Sequence, residues 1–151
     1  MKKLITLLLL ALVLTTVGCG FKDRTPLTAG QFADKMEAAG FQIVDATNQF
    51  EAGVVEAVYL AVGENYQIEF YVVPTVDQAQ RAFEQNKADF EAAKGSTSTN
   101  KSAEVKNYSY YAQTSAGTYS VVSRTDNTFI YVVADDEYKK EISEILSDLG
   151  Y

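Results

Sequence analysis

The sequence predicts an α+β fold in a single domain, with the element order α-βββ-α-βββ-α. Three observations predict it. At 151 residues the chain has room for one domain of ordinary size. Two capping boxes, Thr28 with Gln31 and Thr75 with Gln78, each precede apolar residues at helical spacing. Runs rich in β-branched and aromatic residues, separated by turn residues, follow both helices.

The first half of the chain is predicted as a helix followed by three strands. The helix begins at Thr28 and ends before Gly40, because glycine is a common helix stop. A short strand follows over residues 41–45. Residues 54–62 and 66–73 form a hairpin, since glycine and asparagine between them favour a turn.

The second half repeats this plan and ends in a third helix. The long helix runs from Thr75 to about Lys94. Three strands follow over residues 108–114, 118–124 and 128–133. The last helix covers residues 135–149. Because hairpins pair antiparallel, we expect an antiparallel sheet with helices packed mainly on one face.

Residues 95–107 are polar and rich in serine and threonine. This composition predicts a mobile loop, because no large apolar residue anchors it. The alternative is an ordered binding loop, since long loops are often functional.

The two halves raise the hypothesis of internal duplication. Residues 66–83 align with residues 126–143 at a constant offset, with three identical residues in the strand. Similar strand composition explains these identities equally well.

Composition excludes several functions. The chain has no histidine and one cysteine, which excludes histidine-based catalytic triads, internal disulfides and thiolate zinc sites. Its net charge of −7 disfavours binding to nucleic acid. It contains no glycine-rich phosphate loop, and no cofactor and no metal ion is implied. No pair of carboxylates is selected by its spacing, so no catalytic residue is assigned and the protein is not expected to be an enzyme.

The N-terminus has the pattern of an export signal. Lys2 and Lys3 precede an uncharged, leucine-rich run over residues 4–17, which is too short to span a bilayer. Gly18 and Cys19 follow, and Cys19 is the only cysteine of the chain.

This segment resembles the bacterial lipoproteins, whose signal peptidase II cleaves before a lipid-modified cysteine. The resemblance implies a signal peptide over residues 1–18, a lipidated cysteine and tether over 19–26, and a single domain over 27–151. It also implies anchoring to the cell membrane through lipid on Cys19, on the extracytoplasmic side. An uncleaved signal anchor and a plain secretory signal are the alternatives.

Tyrosine is the unusual feature of the domain, with ten tyrosines and no tryptophan. Several lie on predicted strands, where alternate side chains share a face. Tyr71 and Tyr131, with Tyr59 or Tyr111, would then form an aromatic surface that binds a protein, peptide or glycan. The alternative is that these tyrosines have a structural role, because tyrosine rings often pack half-buried on sheets while the hydroxyl stays in contact with solvent.

These observations favour a non-catalytic, lipid-anchored binding module. A structural accessory subunit of a cell-envelope complex is the alternative. A hydrolase that uses carboxylates or serine without histidine is the third and weakest hypothesis.

Replacement of the cysteine tests the lipoprotein hypothesis. We expect Cys19→Ser to abolish acylation and to leave the precursor uncleaved, because the acyl acceptor is lost. Labelling cells with a radioactive fatty acid measures this. Label retained on the serine variant would contradict lipidation at Cys19.

Overall fold

Helices and strands alternate along residues 22–151, the part of the chain that this computed structural model describes. The helices are α1 (Ala29–Ala38), α2 (Val76–Ala92) and α3 (Lys139–Leu149). The strands are β1 (Gln42–Asp45), β2 (Ala57–Val62), β3 (Gln67–Val72), β4 (Ser98–Val105), β5 (Tyr108–Ser115), β6 (Thr118–Thr125) and β7 (Thr128–Asp135). Single 3-10 turns lie at Thr47–Gln49 and Asp136–Tyr138.

The strands form one antiparallel sheet of seven, in the order β1-β2-β3-β7-β6-β5-β4. It consists of two meanders, β1-β2-β3 and β4-β5-β6-β7, that meet where β3 pairs with β7. Four residue pairs make this connection, from Glu69 opposite Tyr131 to Val72 opposite Thr128.

One face of the sheet, the front face, is covered by α1 and α3. Phe32 and Met36 of α1 and Ile142 and Leu146 of α3 belong to one core cluster. Strand residues complete this cluster, and Phe32 stacks on Phe70 with ring centroids 4.7 Å apart. The front-face residues at the centre of the sheet are Ile68, Phe70, Val121, Ile130 and Val132.

The opposite face, the back face, is covered by α2. Phe83 and Phe90 of this helix pack with Tyr111 and Val122. Ala79 packs with Phe129. The sheet is therefore buried between helices on both sides at its centre.

The predicted class is confirmed, and so is the element order apart from one additional strand, β4, after α2. Two of the three helices pack on one face. Helices α1 and α2 both begin at the predicted threonine caps, but of the two predicted capping boxes only the one at α1 is complete. Thr28 and Gln31 form a reciprocal capping box. At α2, the Thr75 hydroxyl accepts from the Gln78 N–H and also donates to the Gln78 side chain.

The prediction of a mobile loop over residues 95–107 is wrong, because residues 98–105 form β4. All eight residues of β4 have a partner on β5, from Ser98 opposite Ser115 to Val105 opposite Tyr108. The physical reason is non-local. A strand of modest propensity is ordered by a long, strongly β-forming neighbour whose edge it covers.

The alignment of the two halves fits β3 and β7 but does not extend further. In the first half, Ala57 of β2 pairs with Val72 of β3. The offset that superposes Tyr71 on Tyr131 would therefore pair Gly117 with Val132 in the second half, but Val132 pairs with Val121. If the two halves were related by a two-fold axis that exchanges the antiparallel strands β3 and β7, that axis would be perpendicular to the sheet. Such an axis leaves every element on the face of the sheet where it started. Helices α2 and α3 would then share a face, yet they lie on opposite faces. The likeness is thus limited to the strands.

Within residues 22–151, no helix combines the length and apolar character needed to cross a membrane.

Removal of the α2 cap tests this description of the fold. Thr75→Ala leaves helix N–H donors without their partner, so we expect it to lower the free energy of unfolding by about 1 kcal/mol. Chemical denaturation measures the change. Thr97→Ala, at an exposed threonine outside the helices and strands, is the matched control and should have almost no effect. Equal stability of the two variants would contradict the cap.

Candidate functional site

A cleft opens on the front face where α3 ends its cover of the sheet and β4 and β5 continue beyond it. Its volume is about 630 Å³, within the range of roughly 300–1,000 Å³ for small-molecule sites. We call it the β4–β5 cleft. It is lined by residues of β4, β5, β6 and α3, together with Arg24 and Tyr151.

Strand alternation creates the floor of the cleft. Thr99, Lys101 and Ala103 of β4 lie on the front face, as do the residues that pair with them on β5. These partners include Ala112 opposite Lys101 and Tyr110 opposite Ala103. Because the side chains of Ala103 and Ala112 are short, the surface of the sheet is recessed where they lie.

One helix face forms the wall. Lys139, Ser143 and Ser147 follow each other at intervals of four residues on α3, so they lie on one side of the helix. Leu146 also lines the cleft and belongs to the core beneath it. The wall is therefore polar above an apolar base.

A chain of hydroxyl groups joins the floor to the wall. The Tyr110 and Tyr119 hydroxyls lie 3.3 Å apart, and the Tyr119 hydroxyl lies 3.1 Å from the Ser143 hydroxyl. Tyr119 is only 2% exposed, so its ring is held in the core. Burial, with the hydrogen bond to Tyr119, raises the pKa of Tyr110. This hydroxyl keeps its proton at neutral pH.

Three cationic side chains line the cleft. The Lys139 Nζ donates to the Thr114 hydroxyl at 3.1 Å and lies 5.6 Å from the centre of the Tyr119 ring. The Arg24 guanidinium lies 3.3 Å above the Tyr108 ring and donates to the Gly150 carbonyl. Lys101 is exposed on β4.

The cleft differs in charge from the rest of the domain. Among the described residues that line it, none is aspartate or glutamate, although the chain carries a net charge of −7. The ion pairs found within residues 22–151 involve other lysines, namely Lys87, Lys106 and Lys140. The cleft is therefore a locally positive site on an acidic protein.

The four predicted tyrosines do not form one surface. Tyr71, Tyr111 and Tyr131 lie on the back face, but Tyr59 lies on the front face, opposite Phe70. Tyr111 is 2% exposed beneath α2, where its hydroxyl donates to Gln113. The hypothesis of a four-tyrosine binding surface is thus corrected, because strand register and helix cover separate its members.

Tyr71 and Tyr131 do lie together, with Glu69 between them. They line a shallow depression of about 360 Å³. The Tyr71 hydroxyl donates to Glu69 at 2.5 Å, and the Tyr71 ring stacks on Phe129. Burial, and then the bond to Glu69, raises the pKa of Tyr71. The Tyr131 ring stacks on Phe90 of α2, so both rings are engaged in packing within the protein.

The other predicted site residue, Cys19, lies outside the described residues. Within residues 22–151, histidine, cysteine, aspartate and glutamate form no group of three or more that could hold a metal ion.

Four residues of the cleft were not predicted as site residues from the sequence, namely Arg24, Lys101, Lys139 and Ser143. Two signals could have indicated them. One is the four-residue spacing of Lys139, Ser143 and Ser147 on a predicted helix. The other is the alternation of tyrosine and small residues on β5. Neither points to a cleft unless β4 is recognised as a strand.

Comparisons with known proteins do not place the chain in a family. No protein-family model, no curated protein and no solved structure matches it. The site is therefore interpreted from its own geometry.

The raised pKa of the cleft tyrosine predicts a pH dependence. Above about pH 10 the unfolded chain loses the tyrosine proton while the folded protein keeps it, so stability falls as pH rises. We expect Tyr110→Phe to make this fall shallower by less than about 1.4 kcal/mol per pH unit, since partial exposure weakens the effect.

Chemical denaturation between about pH 8 and pH 11 measures this. Identical slopes in the two proteins would contradict a buried, hydrogen-bonded Tyr110 hydroxyl.

Proposed function

We propose that this protein is a lipid-anchored, extracytoplasmic binding module without catalytic activity, and that its ligand occupies the β4–β5 cleft. The observation that carries the proposal is the cleft itself, in which cationic and hydroxyl groups converge above a low floor. Concave sites with a few oriented polar groups are the usual places for ligand binding.

Preorganisation supports a binding role. Tyr119 is held in the core, and its hydroxyl fixes those of Tyr110 and Ser143 at hydrogen-bonding distance. Side chains already held in place lose little freedom when a ligand binds, which favours affinity.

The chemistry of the lining supports a non-catalytic role. The chain has no histidine, and the described residues around the cleft include no aspartate or glutamate. The groups that most often act as general bases are thus missing from this lining. The hydroxyl and cationic groups that remain can hold a ligand through hydrogen bonds and charge.

The position of Arg24 supports a site close to the membrane. Its backbone is held by two hydrogen bonds to the Asn107 side chain, at 2.9 and 2.7 Å. Five residue steps separate Cys19 from Arg24, which span at most about 18 Å. With lipid on Cys19, the side of the cleft that Arg24 lines would lie within about 18 Å of the bilayer surface.

A structural subunit of an envelope complex is the second candidate. Val44 and Val133 are 37% and 43% exposed on strands of the sheet, away from α2. A partner that covers the back face from β1 to β7 would bury them.

Site-specific photocrosslinking in cells tests the binding role. A photoreactive amino acid replaces Thr99 in the cleft or, as the matched control, Ser102 on the other face of β4. We expect an adduct from position 99 that position 102 does not give. We also expect Ala103→Trp, which fills the cleft, to abolish it, whereas Ser102→Trp should not.

An adduct that forms equally at both positions, or that survives Ala103→Trp, would contradict binding in the cleft. An adduct from back-face positions alone would favour the structural subunit.

A further inference from the structure

We infer that the β4–β5 cleft binds a polyhydroxylated anion, a small molecule that carries a carboxylate or phosphate group on a chain or ring rich in hydroxyls. This inference rests on the proposed binding role and names the chemical class of its ligand. Two sources fit that chemistry: an acidic saccharide and the phosphoglycerol unit of a lipid headgroup.

Three cationic side chains reach the cleft from separate segments of the chain. Lys101 approaches from the strand side, Lys139 from the helix side, and Arg24 from the segment that precedes α1. The Arg24 guanidinium has five N–H donors, and the Gly150 carbonyl takes one of them. A bound anion would therefore meet positive charge from three directions.

The side chains of the lining leave these cations available to a ligand. Among the described residues, no aspartate or glutamate side chain lines the cleft, and the ion pairs found there do not involve Arg24, Lys101 or Lys139. One residue further along α3, Lys140 lies 3.9 Å from Glu144 and so has an acidic partner within the protein. Lys139 instead donates to the Thr114 hydroxyl inside the cleft.

The lining of the cleft is also rich in hydroxyl groups. Thr99, Thr114, Ser143 and Ser147 line the cleft together with the hydroxyl chain through Tyr110 and Tyr119. A hydroxyl both donates and accepts, so it pairs with another hydroxyl in either direction. A ligand rich in hydroxyls matches this lining better than an apolar one, which would leave buried polar groups without partners.

The charge of the whole protein limits the ligand to a small anion. An acidic protein repels a long polyanion over the Debye length of about 8–10 Å. A ligand with one or two charges experiences mainly the local field of the cleft. Nucleic acids and long acidic polymers are thereby disfavoured.

Calorimetric titration of the full chain in nonionic detergent tests the inference. The anionic probes are digalacturonate and glycerophosphoglycerol. Galactobiose, which has neutral hydroxymethyl groups in place of the carboxylates of digalacturonate, is the matched control ligand. We expect at least one anionic probe to bind about tenfold more tightly than galactobiose. The probe that binds identifies the source.

Paired variants assign the binding to the cleft. We expect the double variant Lys101→Gln, Lys139→Gln to weaken binding of the anionic probe at least about tenfold. Lys140→Gln, one residue further along α3, should leave it unchanged. All three positions are exposed, so folding should be retained.

Several results would overturn the inference. Equal binding of galactobiose would remove the requirement for an anion, while the binding role would stand. Equal binding of an acidic tripeptide would remove the requirement for hydroxyls. An equal loss in Lys140→Gln would show attraction to general positive charge. If neither anionic probe binds, the inference fails, and photocrosslinking separately decides whether the cleft binds any ligand.

Discussion

The pairing of β3 with β7 is the interaction on which the rest of the fold depends. Four residue pairs join the two meanders, and both faces are packed there. Phe70 opposite Ile130 lies under helices on the front, and Tyr71 stacks on Phe129 on the back, with ring centroids 4.5 Å apart. This pairing makes one wide sheet out of two narrow ones, and so fixes how much sheet the helices have to cover.

The cleft follows from that width. A helix is roughly 10–12 Å across and strands lie about 4.8 Å apart, so one helix covers about two strands. Helices α1 and α3 therefore cannot cover seven strands on the front face. The uncovered end is β4–β5. There the short side chains of Ala103 and Ala112 form the floor of the cleft, and the α3 residues Ser143 and Ser147 line its wall. Positive charge gathers at this end because Arg24, Lys101 and Lys139 reach it from three separate segments.

Local signals in the sequence predicted most of the fold. Thr28 and Thr75 cap their helices, and the three hairpin strands after Asn107 pair as their turn residues indicate. The predictions that were wrong concern features that depend on residues distant in the sequence. The order of β4 comes from β5, and the face of Tyr59 comes from its register with Phe70. The cleft brings together residues from position 24 to position 151, a combination that no local pattern contains.

An ordered β4 is the condition for the whole cleft, and hydrogen exchange measures it most directly. In an edge strand, alternate N–H groups bond to the neighbouring strand and the others face solvent. Mass spectrometry of the segment 98–105 should therefore show about half of its amides protected for minutes or longer. Complete exchange of all its amides within seconds would mean that residues 98–105 are a mobile loop and that the cleft has no floor at its outer side.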